Sequence, residues 1–435
     1  MNLYAERRSR LLSALGPDAV ALIPTYTEQL RNADTHFRFR TDSDFYYLTG
    51  FAEPDALLVL STHRADAPMT LFLRPKDPAR ETWTGRRLGL EGAREQLGAQ
   101  ETYSIHELEK VLPSLLEGAR TLYHRPGAQP ELDRKVFAAF HALRSAKRRM
   151  TPSPTHIVDL TLPLHTLRLY KSPEELEIMH EAARVTAEAH CLAMSFTRPG
   201  RFEYELEALV EFHFRRNGAN GPAYPSIVGG GANACILHYI DNSERLQDGE
   251  LILLDAGAEL GFYAADITRT WPINGRFTPA QRDVYAVVLE AQRRAIETLR
   301  VGVPFQRYHE VAVEVLTEGL VSLGILSGSV EQLIEESAYT PYYMHRTGHF
   351  LGLDVHDAGE YVQAGQSRPL ESGMVLTVEP GLYLADHIPG LPAAFHNIGV
   401  RIEDDILITP HGPEILTHGV PKDIDSIEAL VGSQA

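Results

Sequence analysis

The chain has 435 residues, enough for two ordinary domains each with its own core, and its 44% hydrophobic and 23% charged content is that of a soluble globular protein. With 41 Lys plus Arg against 58 Asp plus Glu the net charge is -17, which disfavours nucleic acid and anionic membranes as partners. Only Cys191 and Cys235 are present, so no disulfide framework exists; two reduced thiols and a charged N-terminus without an apolar signal core point to the cytoplasm.

In chain order, the N-terminal segment MNLYAERRSRLLSALG predicts a short amphipathic helix. The apolar runs Ala19–Ile23 and Ala56–Leu60, bounded by Pro or polar residues, predict buried strands, and residues 90–100 and 107–118 predict helices. This alternation implies an α/β layer domain. Pro152, Pro154 and Pro163 interrupt the pattern and mark an interdomain connection, giving domains at 1–168 and 169–435. Ser172 then caps a helix running to about Phe196, with Pro173 at its first position and Glu175 completing a capping box. Further helices are expected near 203–217, 278–300, 304–323 and 329–336, with strands clustered in 225–275 and 373–418. No run of the roughly 18–20 apolar residues needed to span a membrane is present.

The chemistry-bearing motifs all fall in the second half. In the stretch 251–271 two apolar runs flank a glycine-containing turn. A turn centred on Leu260 and Gly261 would set Asp255 directly opposite Asp266, with Cβ atoms roughly 4.5–5.5 Å apart. Each aspartate alone reads more readily as a solvated turn residue. Two together in apolar strands repel unless they share a proton or a cation, which favours a metal. His345, His349 and His356 fall within twelve residues; Gly348 and Gly352 argue for loop and strand rather than helix. Any one of them alone would be an ordinary polar histidine, but neutral imidazole ligates zinc, manganese or cobalt. Glu379 ends an apolar strand stopped by Pro380 and Gly381. In 399–408 the strand period places Arg401, Glu403 and Asp405 on one face; the bland alternative pairs Glu403 with Arg401. One histidine and four carboxylates can hold two divalent ions at near-neutral total charge. The oxygen-rich set fits manganese better than structural zinc, with zinc or cobalt as alternatives.

The segments LLDAGAELGFYAADITRTWP, HRTGHFLGLDVHD, LTVEPGLY and GVRIEDDI resemble the pita-bread metallopeptidases, within them most closely the aminopeptidase P (Xaa-Pro aminopeptidase) family. DSDFYYLTGFAEPDALLVL and ETWTGRRLGLEGAREQLG extend the likeness into the first half. The resemblance implies a creatinase-like α/β domain serving oligomerisation and substrate access, followed by a catalytic pita-bread domain with a curved, mostly antiparallel sheet. It implies Asp255 as bidentate ligand to one metal, Asp266 and Glu403 as bridges, and His349 and Glu379 completing the other metal's shell, with Glu379 also the base. His238 and His356 would contact the substrate carbonyl, His345, Tyr383 and Arg401 would orient ligands, and Trp83 would reach a neighbouring subunit's pocket in a homodimer or homotetramer. The interval between His349 and Glu379 departs from the family pattern by about one extra residue. The implied reaction is release of the N-terminal residue from peptides with a free N-terminus and proline second. A prolidase cleaving only Xaa-Pro dipeptides is the nearest alternative. A methionine aminopeptidase is disfavoured by the first domain, and a non-catalytic binding relative or a metal-free creatinase-type hydrolase by the intact ligand set.

Overall fold

The computed structural model describes residues 3–145 and 153–433. The chain divides into two compact units, Met1–Arg168 and Leu169–Ala435. No described helix is long and apolar enough to cross a membrane.

The first unit is built on a six-stranded mixed sheet in the order Glu101–Ser104, Met69–Leu73, Leu57–Ser61, Ala19–Pro24, Thr121–His124, His156–Asp159. The Ala19–Pro24 and Leu57–Ser61 strands, both predicted from their apolar runs, pair antiparallel, as do Leu57–Ser61 and Met69–Leu73; the other three pairings are parallel. The helices Leu108–Leu116 and Pro130–Ser145 supply Leu112, Leu116, Val136 and Phe140 to a core with Val20, Leu22, Val59 and Phe72 from the sheet. Asp44, buried on the helix Ser43–Thr49, receives Arg168 at 2.6 Å and Arg125 and His165 at 3.1 Å. Burial alone would raise its carboxyl, but His165 and Arg168 hold it well below the usual range.

The described part of the proline-marked stretch, from residue 153 on, belongs to the first unit rather than to a connection. His156–Asp159 is an edge strand of the first unit's sheet, and Pro163 lies inside the helix Thr161–Leu169. A proline at the third helical position costs no hydrogen bond, because the first four N–H groups of a helix have no intrahelical acceptor. Pro152 lies outside the described residues.

In the second unit the helix Pro173–Phe196 starts where the sequence indicates, with both arms of the Ser172–Glu175 capping box formed. All strand pairings described in this unit are antiparallel. Leu251–Asp255 lies between Ile227–Gly230 and Thr268–Pro272. Val375–Val378 pairs with Asp404–Thr409, and Gly381–Leu384 with Ile398–Arg401. The chain therefore changes ladder at Ile402 and Glu403. The helices Pro279–Thr298 and Arg307–Ser322 bury Val284, Val288, Leu316 and Leu320 in a core shared with Ile252, Leu254 and Trp271.

A polar knot pins the ladder change. Arg269, fully buried, donates from Nη2 to Asp404 Oδ1 at 2.7 Å and from Nη1 to the carbonyl of Glu403. Asp404 also accepts from Thr417 Oγ1 at 2.7 Å, Gln292 Nε2 at 2.9 Å and Lys422 Nζ. Burial raises the Asp404 carboxyl, yet Arg269 and Lys422 outweigh it and hold it well below the ordinary carboxylate range. Removing one partner leaves the buried guanidinium uncompensated, so Asp404→Asn should cost roughly 3–5 kcal/mol at pH 7. The folded value is depressed, so this stabilisation is present above the unfolded value of about 4 and fades as pH falls below it. Urea unfolding of both proteins at pH 7 and pH 3 checks this: the gap should be widest at pH 7 and smaller at pH 3, where only part of the stabilisation has been lost.

Candidate metal centre

The first aspartate ends the fully buried strand Leu251–Asp255. Its partner is not Asp266: Asp255 faces Thr268 across the ladder. The turn lies at Gly261 and Phe262, both with positive φ (55° and 69°), and Leu260 pairs with Tyr263. This two-residue turn sits one position later than the sequence reading placed it, which moves every pair by two in the count. Thr268 and Asp266 are two residues apart, so Asp266 still projects from the same side as Asp255, one pleat along. Gly257 makes the approach possible: a Cβ there would lie 1.7 Å from the carbonyl oxygen of Ala265.

Tyr224, which nothing in its local sequence singles out, completes this corner. Its hydroxyl stands 2.6 Å from Asp255 Oδ1 and 2.5 Å from Asp266 Oδ1. One hydroxyl proton cannot serve two anionic oxygens, so the pair needs a further proton or a cation. Burial first, and then the Asp255 charge, push the Asp266 carboxyl well above its ordinary value.

His349 enters on a segment that is laid against the strand Val375–Val378: Thr377 N donates to the His349 carbonyl at 2.9 Å and Leu351 N to Val375 at 3.0 Å. Gly348 permits this, since a Cβ would lie 2.0 Å from the Thr377 carbonyl. His349 Nδ1 donates to the Phe350 carbonyl at 3.0 Å. Nε2 is thus left as a lone pair, 3.6 Å from Asp266 Oδ2 and 3.8 Å from Glu379 Oε1. Burial keeps this imidazole neutral, its pKa lowered to about 4. Glu379 follows the strand end and is anchored through its N–H on Thr347 at 2.8 Å. Glu403, at the ladder change, accepts from Thr268 Oγ1 at 2.6 Å. Burial, then Glu403 for one and Asp266 for the other, raise Glu379 and Glu403 well above the carboxylate range. Among the described residues, Asp266, His349 and Glu403 bring one ligand atom each within 4.8 Å of one another, close enough to hold a metal ion.

Arg401 binds Asp255 Oδ2 through Nη2 at 2.6 Å, Tyr383 Oη through Nη1 at 3.0 Å and Thr268 Oγ1 through Nε at 3.1 Å. It pairs with Asp255 rather than with Glu403. His345 Nδ1 donates to the Arg346 carbonyl at 2.7 Å, so its Nε2 accepts from Tyr383 Oη at 2.8 Å. Asp405 turns to the Asp266 N–H at 3.0 Å. His356 lies edge-on to His349 with ring centres 4.3 Å apart. The loop carrying His238 is tied down by Glu203, which accepts from Gly230 N, Asn233, Tyr239 Oη and Glu244 N at 2.8–3.1 Å.

One cavity of ≈ 1160 Å³ is lined by Asp255, Asp266, His349, Glu379 and Glu403 together with Arg401, His238, His345 and His356. Tyr383 acts on it from behind through Arg401 and His345. Trp83 belongs to the first unit, 88% exposed on the helix Pro78–Thr84. Sequence reasoning missed Tyr224 and Thr268. The strand period could have found Thr268, two residues from Asp266.

A family model described as metallopeptidase family M24 matches residues 177–410, more than half of the chain. The chain belongs to metallopeptidase family M24. It is therefore a hydrolase, and a second family model, aminopeptidase P, N-terminal domain, matches residues 4–123. Along 98% of its length it is 47% identical to a Xaa-Pro aminopeptidase of Haemophilus influenzae and 44% identical to that of Escherichia coli, covering 96% and 97% of those chains. The solved aminopeptidase PepP of Pseudomonas aeruginosa superposes with a TM-score of 0.96 at 48% identity, covering 98% of this chain and 97% of its own. A zinc-substituted E. coli aminopeptidase P in complex with product superposes at 0.95 and 44% identity, covering 98% and 97%. The α/β first unit and the antiparallel second unit match the fold expected from the sequence.

Tyr224→Phe removes the hydroxyl shared by the two aspartates but keeps the ring. Outer hydrogen-bond partners of metal ligands are worth 10–100-fold in affinity. Divalent-ion titration calorimetry should show binding weakened by roughly tenfold, with the melting temperature of the metal-free protein little changed.

Proposed function

We infer that this M24 hydrolase is an aminopeptidase that releases the N-terminal residue from peptides with proline in second position, using two divalent ions held by Asp255, Asp266, His349, Glu379 and Glu403. The observation that carries this reading is the convergence of all five side chains on one cavity in a chain alike, over 98% of its length, to Xaa-Pro aminopeptidases. The donor set fits metal. Buried carboxylates repel one another, and the single imidazole turns a lone pair, not an N–H, toward them. Oxygen-rich ligation with one imidazole favours manganese over zinc or cobalt.

When bound, the two ions supply a water nucleophile active at neutral pH and polarise the scissile carbonyl. The chain's own groups do the rest. Glu379 takes the proton of the attacking water and returns it to the proline nitrogen, a task suited to a carboxylate whose proton affinity burial has raised. His238 and His356 donate to the carbonyl oxygen as charge develops on it. Asp255, held by Arg401, faces the free amine and limits cleavage to one residue. The Arg401–Tyr383–His345 relay keeps that carboxylate oriented. An Xaa-Pro bond offers no N–H and a fixed φ, so a pocket that reads the carbonyl and the amine suits it.

The cavity also favours this reading over a dipeptidase, because ≈ 1160 Å³ is more than a dipeptide fills. The exposed Trp83 supports an oligomer, dimer or tetramer, in which that ring reaches a neighbouring subunit. The free thiols Cys191 and Cys235 support a cytoplasmic setting, and the charge of -17 opposes nucleic acid as a partner.

The test strips metal by chelation and restores Mn, Co or Zn before assaying Xaa-Pro-Yaa peptides, Xaa-Pro dipeptides and Met-Ala peptides. Turnover of the first, absent after chelation and restored by metal, is expected; none under any of the three ions refutes the reading. Glu403→Ala should abolish activity and lose at least one ion by elemental analysis. Full metal content with full activity in that variant would remove Glu403 from the ligand set.

A further inference from the structure

The cavity extends well past the metal-facing residues, and its volume of ≈ 1160 Å³ exceeds the roughly 300–1,000 Å³ that suits a compact small molecule. Phe305 and Tyr361 line this extension, braced from behind by the buried Phe350. Phe350 and Tyr361 lie nearly parallel with centroids 4.9 Å apart, and Phe305 closes on them at 5.0 and 4.7 Å. Tyr361 Oη accepts from the Phe350 N–H at 3.2 Å, fixing its ring.

Immediately after Tyr361 comes a short hairpin, Val362–Gln363 paired with Gln366–Ser367, inside the interval between His349 and Glu379. Its turn holds Ala364 and Gly365 at φ 49° and 79°. The hairpin is fastened to the segment before the helix Arg307–Ser322: Phe305 N donates to the Arg368 carbonyl at 2.7 Å and Gln306 N to Ser367 Oγ at 3.0 Å. Val362 therefore stands in a fixed place on the cavity wall, yet is 57% exposed, beside a Tyr361 that is 37% exposed. An ordered apolar surface continuous with an active-site cavity is what an apolar side chain of a ligand would cover.

Direction along the cavity follows from the ligands. Asp255 pairs with Ile227 and bonds Tyr224, whereas His349 runs directly into Phe350 and the aromatic stack. With the free amine at Asp255, the His349 end is left to the chain beyond the proline.

We propose that Val362, Tyr361 and Phe305 form the subsite for the residue that follows proline and select an apolar side chain there. This rests on the proline-specific reading above. None of these three residues is charged, so an acidic side chain packed against them loses hydration without a charged partner among them.

The experiment compares kcat/KM for Ala-Pro-Leu, Ala-Pro-Gly and Ala-Pro-Asp peptides in the metal-loaded wild type, Val362→Lys and Val362→Ala. The wild type should prefer Leu over Asp by about tenfold, mainly through KM, the scale of one modest apolar contact. Val362→Lys, which removes the apolar contact and attracts a carboxylate, should bring the Leu-to-Asp ratio to about one or below, and Val362→Ala should lower it partway. Damage to the fold lowers all three substrates together and leaves the ratio untouched, so the ratio is the readout. Equal rates on the three peptides in the wild type, or an unaltered ratio in both variants, overturns the subsite. Failure to cleave any proline peptide while cleaving Met-Ala peptides would instead overturn the proline reading on which it rests.

Discussion

Buried carboxylates crowded against one another set the terms for the second unit. Asp255, Asp266, Glu379 and Glu403 lie within one cavity, and three of them are pushed far above their ordinary proton affinity by burial and by each other. Such a cluster is stable only with protons or cations in it. Much of the surrounding architecture holds these groups in place. Arg401 neutralises Asp255, Thr268 bonds Glu403, Tyr224 spans the aspartates, and the Asp266 N–H is anchored on Asp405. None of these contacts removes the repulsion; they fix where its charges stand, which is what selective binding of a cation requires.

The supporting layer is itself electrostatic. Glu403 stands at a ladder change, a place where backbone pairing gives little guidance. Arg269 supplies that guidance by gripping the Glu403 carbonyl and the Asp404 carboxylate together. Asp404 and Asp405 are sequence neighbours with opposite fates. One is held ionised by Arg269 and Lys422, while the other, facing the metal-side aspartate with few cations near, is pushed upward by burial. The alternation of a strand sends them to different surroundings, and the surroundings decide their charge.

Much of this was legible in the chain. Each ligand candidate is a polar residue ending or interrupting an apolar strand, an arrangement that costs free energy unless used. The capping box at Ser172 fixed a helix start, and the runs at Ala19 and Ala56 gave paired strands. The register of the aspartate hairpin was not legible, because it depends on Phe262 accepting a left-handed conformation that residue type disfavours. Pro163 misled for a related reason: a breaker within a helix interior is harmless in its first turn. Tyr224 left no trace, since its role comes from a loop meeting two strands distant in sequence.

The ligand candidates run from Asp255 to Glu403, and the two glycine contacts at Gly257 and Gly348 bring backbone against backbone between them. Such long-range closure is slow to form. No local fragment gathers enough ligands to hold an ion firmly, so a half-folded chain has little means of capturing the wrong metal early. Metal occupancy then becomes a late event in maturation, and a measure of how completely a given molecule has folded.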